Sequence, residues 1–206
     1  MSSPVDICNI ALSRLGDRAT VTSISPSDGS AQADHCARFY PIALKTLLAS
    51  HRWSFAISRA ALAYLGEVPV GEGRMMAVPA DCISIIEMVD TQNPGADTHY
   101  RCEMYKGSRI VVCESTDIWI RYLSSSVDSS IFPATFVDAL AWLLASYLSG
   151  SMTPGTTGSQ MAAECLKYYE TFRLKAVHED SQQNFEHVDY RPAFLGDFTG
   201  DRYGEH

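Results

Sequence analysis

Residues 28–53 read DGSAQADHCARFYPIALKTLLASHRW, and the reading of this stretch decides the fold. Apolar side chains recur at Cys36, Tyr40, Ala43, Leu44, Leu47 and Leu48, the three-and-four spacing that gathers them on one side of an α-helix. Asp28 is the natural N-cap, because its carboxylate can accept from the amides of a first helical turn, and Ser30 is the next candidate. Pro41 falls well inside the run, where it removes a backbone donor and crowds the preceding turn, so a bend is expected there. A long amphipathic helix needs a surface on which to bury its stripe, and the rest of the chain is read as what supplies it.

On its N-terminal side, Ser3 and Pro4 open a first helix over 4–15, with Val5, Cys8, Ala11, Leu12 and Leu15 on one face and Gly16 as its stop. Past Trp53 the helical period disappears: 54–65 is apolar without periodicity, and 66–73 is rich in Gly and Pro. Short strands are expected over 75–79, 82–89, 100–105, 109–113 and 117–123, with a turn at Asn93-Pro94-Gly95 and a hairpin at Lys106-Gly107-Ser108. Helix returns after Pro133, where Phe136, Leu140, Leu143, Leu144, Tyr147 and Leu148 form a wide apolar stripe ending at Gly150. A fourth helix over 159–178 places Met161, Cys165, Leu166, Tyr169, Phe172 and Val177 inward. Beyond Asp180 no period survives, yet Phe185, Tyr190, Phe194, Phe198 and Tyr203 are too many aromatics for a plain linker, so an extended arm that orders against another surface is expected.

The fold class expected is therefore α+β. About four helices form an antiparallel-type bundle from 1–53 and 125–180, a small antiparallel β-module over 54–124 is inserted into it, and 181–206 is an extended C-terminal arm.

Composition narrows the function classes. A net charge of -8 over 206 residues disfavours non-specific nucleic-acid binding, which depends on an excess of Lys and Arg. The six cysteines include no CxxC pair and the first residues carry no basic leader, so reduced, mostly buried thiols are expected, with Cys102 and Cys113 as possible neighbours across the hairpin. The most apolar run, 136–148, falls short of the roughly 20 residues of a membrane span, so a soluble chain is expected.

Catalytic constellations are thin. Asp34, His35, Cys36 and His51 match no common zinc spacing, and Asp34 is expected to pair with Arg38 one turn on. Glu87, Glu103 and Glu114 supply carboxylates of the kind a glycosidase sets across a cleft, but a chain with 24 acids offers such pairs by chance. Neither a phosphate-binding loop, a dinucleotide fingerprint nor a GxSxG elbow is present. No catalytic, cofactor-binding or metal site is assigned, and no cofactor is expected.

The stretches ICNIALSRLGD and ISPSDGSAQADHCARFYPIALKTLLASHRWSFA resemble the opening of the tail tubular protein A family, the head-to-tail adaptors, or gatekeepers, of short-tailed phages. The matching positions are Leu15-Gly16, Ala33, Ala37-Arg38, Tyr40 and Trp53-Ser54-Phe55. Val78-Pro79-Ala80-Asp81-Cys82, Tyr122 and the Ala-rich helix after Pro133 continue the resemblance to about residue 178. It implies a non-enzymatic structural virion protein: a ring of twelve subunits between the portal protein and the tail nozzle protein. Such a ring extends the DNA channel without sequence-specific binding, helps retain the packaged genome, and has no membrane partner. Its location would be the head-tail junction of the virion, and the host cytoplasm during assembly. On this reading Arg38, Pro41, Lys45 and Arg52 are the expected subunit interface, and the arm aromatics Phe185, Tyr190, Phe194, Phe198 and Tyr203 dock on the portal or a neighbour. The alternatives are a cell-wall glycan hydrolase carried by a tail component, an activity proposed for some proteins similar to this family, and a monomeric accessory module.

Overall fold

Ser3 accepts a hydrogen bond from the Asp6 amide while the Asp6 carboxylate accepts from the Ser3 amide, and this capping box starts α1, Pro4–Arg14. The computed structural model describes residues 2–18, 20–93, 99–152 and 155–183. The arm aromatics from Phe185 to Tyr203 lie outside the described residues, as do Pro94 and Gly95 of the expected turn.

The second helix, α2, is Ala31–Ala49 and runs on through Pro41. Its N-cap is Ser30, whose hydroxyl accepts from the Ala33 amide at 3.1 Å. Asp28 does a different job from the one expected of it. Its carboxylate accepts from the Thr22 amide at 2.8 Å and the Ser30 amide at 2.9 Å, fastening the connector that leads into the helix.

Helix α3, Ala134–Met152, is the hub. The helices α1, α2 and α4 (Thr156–Gln183) each pack on it, whereas α1 and α2 touch one another only slightly. Phe136, Leu140, Leu144 and Leu148 are fully buried, each contributing roughly 1.5–3 kcal/mol of hydrophobic stabilisation. A helix enclosed this fully gains from satisfying its polar atoms, although the buried indole N–H of Trp142 has no acceptor among the described residues. Ser146 and Ser149 satisfy theirs by donating to the carbonyls of Leu143 and Ser146, at 2.7 and 2.8 Å.

The β-region is larger than a small insert. Strands β1 (Ile57–Ala61), β7 (Ile118–Ser124) and β4 (Cys82–Asp90) form one antiparallel sheet in the order β1-β7-β4. Strands β2 (Ala63–Glu67), β3 (Arg74–Ala77), β6 (Ser108–Cys113) and β5 (Arg101–Tyr105) form a second in the order β2-β3-β6-β5. Between them lies a core of their own, with Met76, Val111 and Cys113 from one sheet against Met88, Ile118, Ile120 and Tyr122 from the other. The three-stranded sheet also turns Leu123, on its opposite face, into the helical core.

The expected helical bundle with a small inserted β-module is thereby overturned. The protein is α+β: the described residues form four α-helices and seven strands in two antiparallel sheets, in a stacked order of helices, then sheet, then sheet. The physical reason lies in β7, whose alternation serves two cores at once: Ile118, Ile120 and Tyr122 face the second sheet, while Leu123 faces the helices. The helices do not close a bundle of their own, because part of their apolar surface is spent on that sheet.

Two smaller expectations are also corrected. Leu166 is 43% exposed, since the inward stripe of α4 runs through Cys165, Tyr169 and Ala176 and leaves Leu166 beside it. Cys102 pairs with Val111 and Cys113 with Arg74, so the two thiols are not cross-strand neighbours. The cause is the hairpin loop, which is the two residues Lys106 and Gly107, both at positive φ (49° and 80°), with Ser108 already in strand β6.

Candidate interaction surfaces

The buried side of α2 carries Ala33, Cys36, Tyr40, Ala43, Leu47 and Leu48, so the helical period leaves Arg38, Pro41 and Lys45 on the solvent side. All three are exposed, and Ile42 beside them is 52% exposed. Arg52 is exposed as well, but it lies three residues past the last residue of the helix, so the helical period does not set its direction. Arg38, Lys45 and Arg52 have no ion-pair partner among the described residues. Asp34, expected to pair with Arg38, instead accepts from the Ser27 hydroxyl at 2.6 Å. Ile42 was missed by sequence reading, although its place one residue outside the apolar stripe was the available signal.

The Trp53-Ser54-Phe55 motif is the joint between helices and sheet. Trp53 is buried, donates its indole N–H to the Leu47 carbonyl at 3.0 Å, and meets Phe136 edge-on with ring centroids 4.9 Å apart. Phe55 meets the same ring at 5.0 Å. Ser54 opens a single 3-10 turn, and its amide and hydroxyl donate to the buried Asp180 carboxylate of α4 at 3.0 and 2.6 Å. His51 reaches the other carboxylate oxygen at 3.2 Å.

The second motif of the resemblance has an equally local role. Asp81, immediately before β4, accepts from the Ser124 hydroxyl at 2.6 Å and from the Tyr122 hydroxyl at 3.3 Å, and its carbonyl takes the Ser125 amide at 2.8 Å. This ties the start of β4 to the end of β7. Burial, and then the facing Asp81 carboxylate, push the Tyr122 hydroxyl above its ordinary pKa.

On the far side of α3, the Arg14 guanidinium pairs with the Asp138 carboxylate, donates to the Asp138 carbonyl at 2.8 Å, and lies 4.3 Å from the Trp142 ring centre. Trp142 in turn stacks on Tyr168 at 4.6 Å. Burial pulls the Arg14 pKa down, against the pull of Asp138.

The carboxylates weighed for hydrolysis do not share a cleft. Glu87 ion-pairs with Arg121 at 3.2 Å and lines a 350 Å³ cavity on the three-stranded sheet. Glu114 lines a separate 510 Å³ cavity at the four-stranded sheet with Glu67 and Glu72, while Glu103 is held by Arg101 at 2.6 Å. Among the described residues no three His, Cys, Asp or Glu side chains converge as metal ligands would. Among the same residues no helix is long and apolar enough to cross a membrane.

Cys8 and Cys36 face each other across α1 and α2, both fully buried. The hydrogen bond to Cys36, reinforced by burial, pushes the Cys8 thiol well above the usual thiol range, so it is a core group and not a nucleophile. No protein-family model matches the chain, and no curated protein matches it either.

Proposed function

We propose that the chain is a subunit of a head-to-tail adaptor ring, the structural piece that joins a phage portal to the tail nozzle and continues the DNA channel. The observation that carries this reading beyond the motif resemblance is the outer face of α2. In a chain of net charge -8, Arg38 and Lys45 stand exposed and, among the described residues, without an ionic partner beside the exposed Ile42, with Arg52 following. A mixed apolar and basic face of this kind fits a heterologous contact with an acidic neighbour, the contact type that closes rings. The subunit is non-enzymatic on this reading, the ring has twelve copies, and its place is the head-tail junction of the virion. The arm aromatics Phe185, Tyr190, Phe194, Phe198 and Tyr203 are proposed to reach the portal or a neighbouring subunit.

Mixing purified chain with the cognate portal ring and imaging the product by electron microscopy tests this directly. A stoichiometric ring on the portal is expected, and Arg38→Glu together with Lys45→Glu should abolish it while leaving the fold intact. A wild-type chain that stays monomeric in the presence of portal would overturn the reading.

A further inference from the structure

The helix-facing side of the three-stranded sheet is covered at one end only. Along β7, Leu123 is buried under the helices, Arg121 is half-buried, and Trp119 is 47% exposed. Beyond Leu123 the described residues leave the sheet face open, and Arg59, Glu87, Val89, Trp119 and Arg121 line its 350 Å³ cavity. The register arranges them in two rows. Arg59, Arg121 and Glu87 lie opposite one another across the three strands, and Ala61, Trp119 and Val89 form the next row.

That arrangement leaves the face short of negative charge. Two arginines directly opposite repel, and only one carboxylate stands in their row. Glu87 takes Arg121, Arg59 has no partner among the described residues, and the Arg121 Nε is buried without an acceptor. Beside this basic row sits an apolar one with a half-exposed indole. The chemistry that completes the face is an acidic segment carrying aromatic side chains.

We propose that residues 184–206 of the same chain dock on this face. The segment holds five acids (Glu186, Asp189, Asp197, Asp201, Glu205) against two arginines, together with five aromatics. The end of α4 is in the right place to deliver it. Asp180 is hydrogen-bonded to Ser54, three residues before β1, and β1 is the edge strand that carries Arg59. From Gln183 to Arg59 is therefore at most about 25 Å, while the 23 residues that follow Gln183 can span about 75 Å. A tethered segment meets this face at a high effective concentration, which favours its own sheet over a second molecule's. The proposal does not rest on the adaptor reading. If a ring forms on the portal, the same contact can pass to a neighbour.

The test uses the full chain without portal, with Trp119 replaced by the photo-crosslinking residue p-benzoylphenylalanine. Irradiation should give an adduct at the mass of one chain, mapping by digestion to residues 184–206, with a yield independent of protein concentration. Arg59→Glu should lower that yield by about fivefold or more, and combining it with Asp197→Arg and Asp201→Arg should restore it. Arg59→Gln, a milder change at an exposed position, should lower it in the same direction. An absence of tail adducts, a yield indifferent to Arg59→Glu, or an adduct at the mass of two chains would each overturn the proposal. None of these outcomes bears on whether the portal recruits the chain.

Discussion

Asp180, near the C-terminal end of α4, accepts the amide and the hydroxyl of Ser54 at 3.0 and 2.6 Å, and through them the last helix holds the joint between α2 and the first strand. The carboxylate is 4% exposed and Ser54 is half-buried, so removing the carboxylate leaves donors that water replaces only in part. Asp180→Ala should cost about 2 kcal/mol of stability, and Asp180→Asn less, because an amide oxygen still accepts from Ser54. Denaturant unfolding of the two variants beside wild type measures the difference. Equal costs would mean that packing at Ser54, and not the hydrogen bonds, holds the joint.

The connector before α2 should make stability pH-dependent. The amide of Thr22, with the hydroxyl and amide of Ser30, holds the Asp28 carboxyl well below its ordinary value of 3.8. Ser3 and Ser130 do the same, more weakly, for Asp6 and Asp128. Because the folded values are depressed, this stabilisation is fully present above pH 3.8 and is lost as the pH falls through the folded values. Denaturation midpoints at about pH 5 and about pH 2.5 should differ more for wild type than for Asp28→Asn. An unchanged difference would remove Asp28 from the account of acid sensitivity.

The six thiols should divide by depth. Cys102 is exposed, Cys82 is intermediate, and Cys8, Cys36, Cys113 and Cys165 are buried. Burial raises the thiols of Cys82, Cys113 and Cys165, and the hydrogen bond to Cys36 raises that of Cys8, so all four are slow on chemical grounds too. An aromatic disulfide reagent should therefore titrate Cys102 first in the native state, with Cys8 and Cys36 reacting only on unfolding. Rapid reaction of Cys8 would show that α1 detaches from α2 in solution.

What the sequence makes legible is local. Among the described residues the four helices are readable from their periods, and Lys106-Gly107 marks its hairpin, because those signals lie within a few residues of what they specify. The ends are less legible, since α3 runs past the expected stop at Gly150 to Met152 and α4 is Thr156–Gln183 where 159–178 was expected, taking in residues 181–183 of the expected arm. β1 and β2 were not resolved as strands, since ISRAA and AYLGE hold few β-branched residues and no residue of either strand is fully buried, which leaves little apolar alternation to read. The pairing of β1 with β7 spans some sixty residues, and no local signal in Ile57–Ala61 names its partner. The stacked sheets were missed for the same reason: the double duty of β7 becomes visible only when Leu123 is seen in a different core from Ile120. At the candidate surfaces, Arg38, Pro41 and Lys45 follow from the helical period, whereas the convergence of Arg59 with Arg121 depends on register and could not be read in advance.

Pro41 separates folding from assembly. It sits inside α2 on the exposed side, between Arg38 and Lys45, where it supplies no amide for the helical ladder. Pro41→Ala restores that donor at an exposed position, where little side-chain packing is lost, so the unfolding free energy should rise, by up to about 3 kcal/mol. If the face around Pro41 is the ring contact, the same substitution should lower ring yield on the portal even as it stabilises the subunit, because the local shape imposed by proline is lost. Calorimetry of the free chain and particle counting on the portal read the two effects separately. A variant that is more stable and still forms rings in normal yield would leave Pro41 no part in assembly, while one that is less stable would mean that the proline is accommodated without cost in α2.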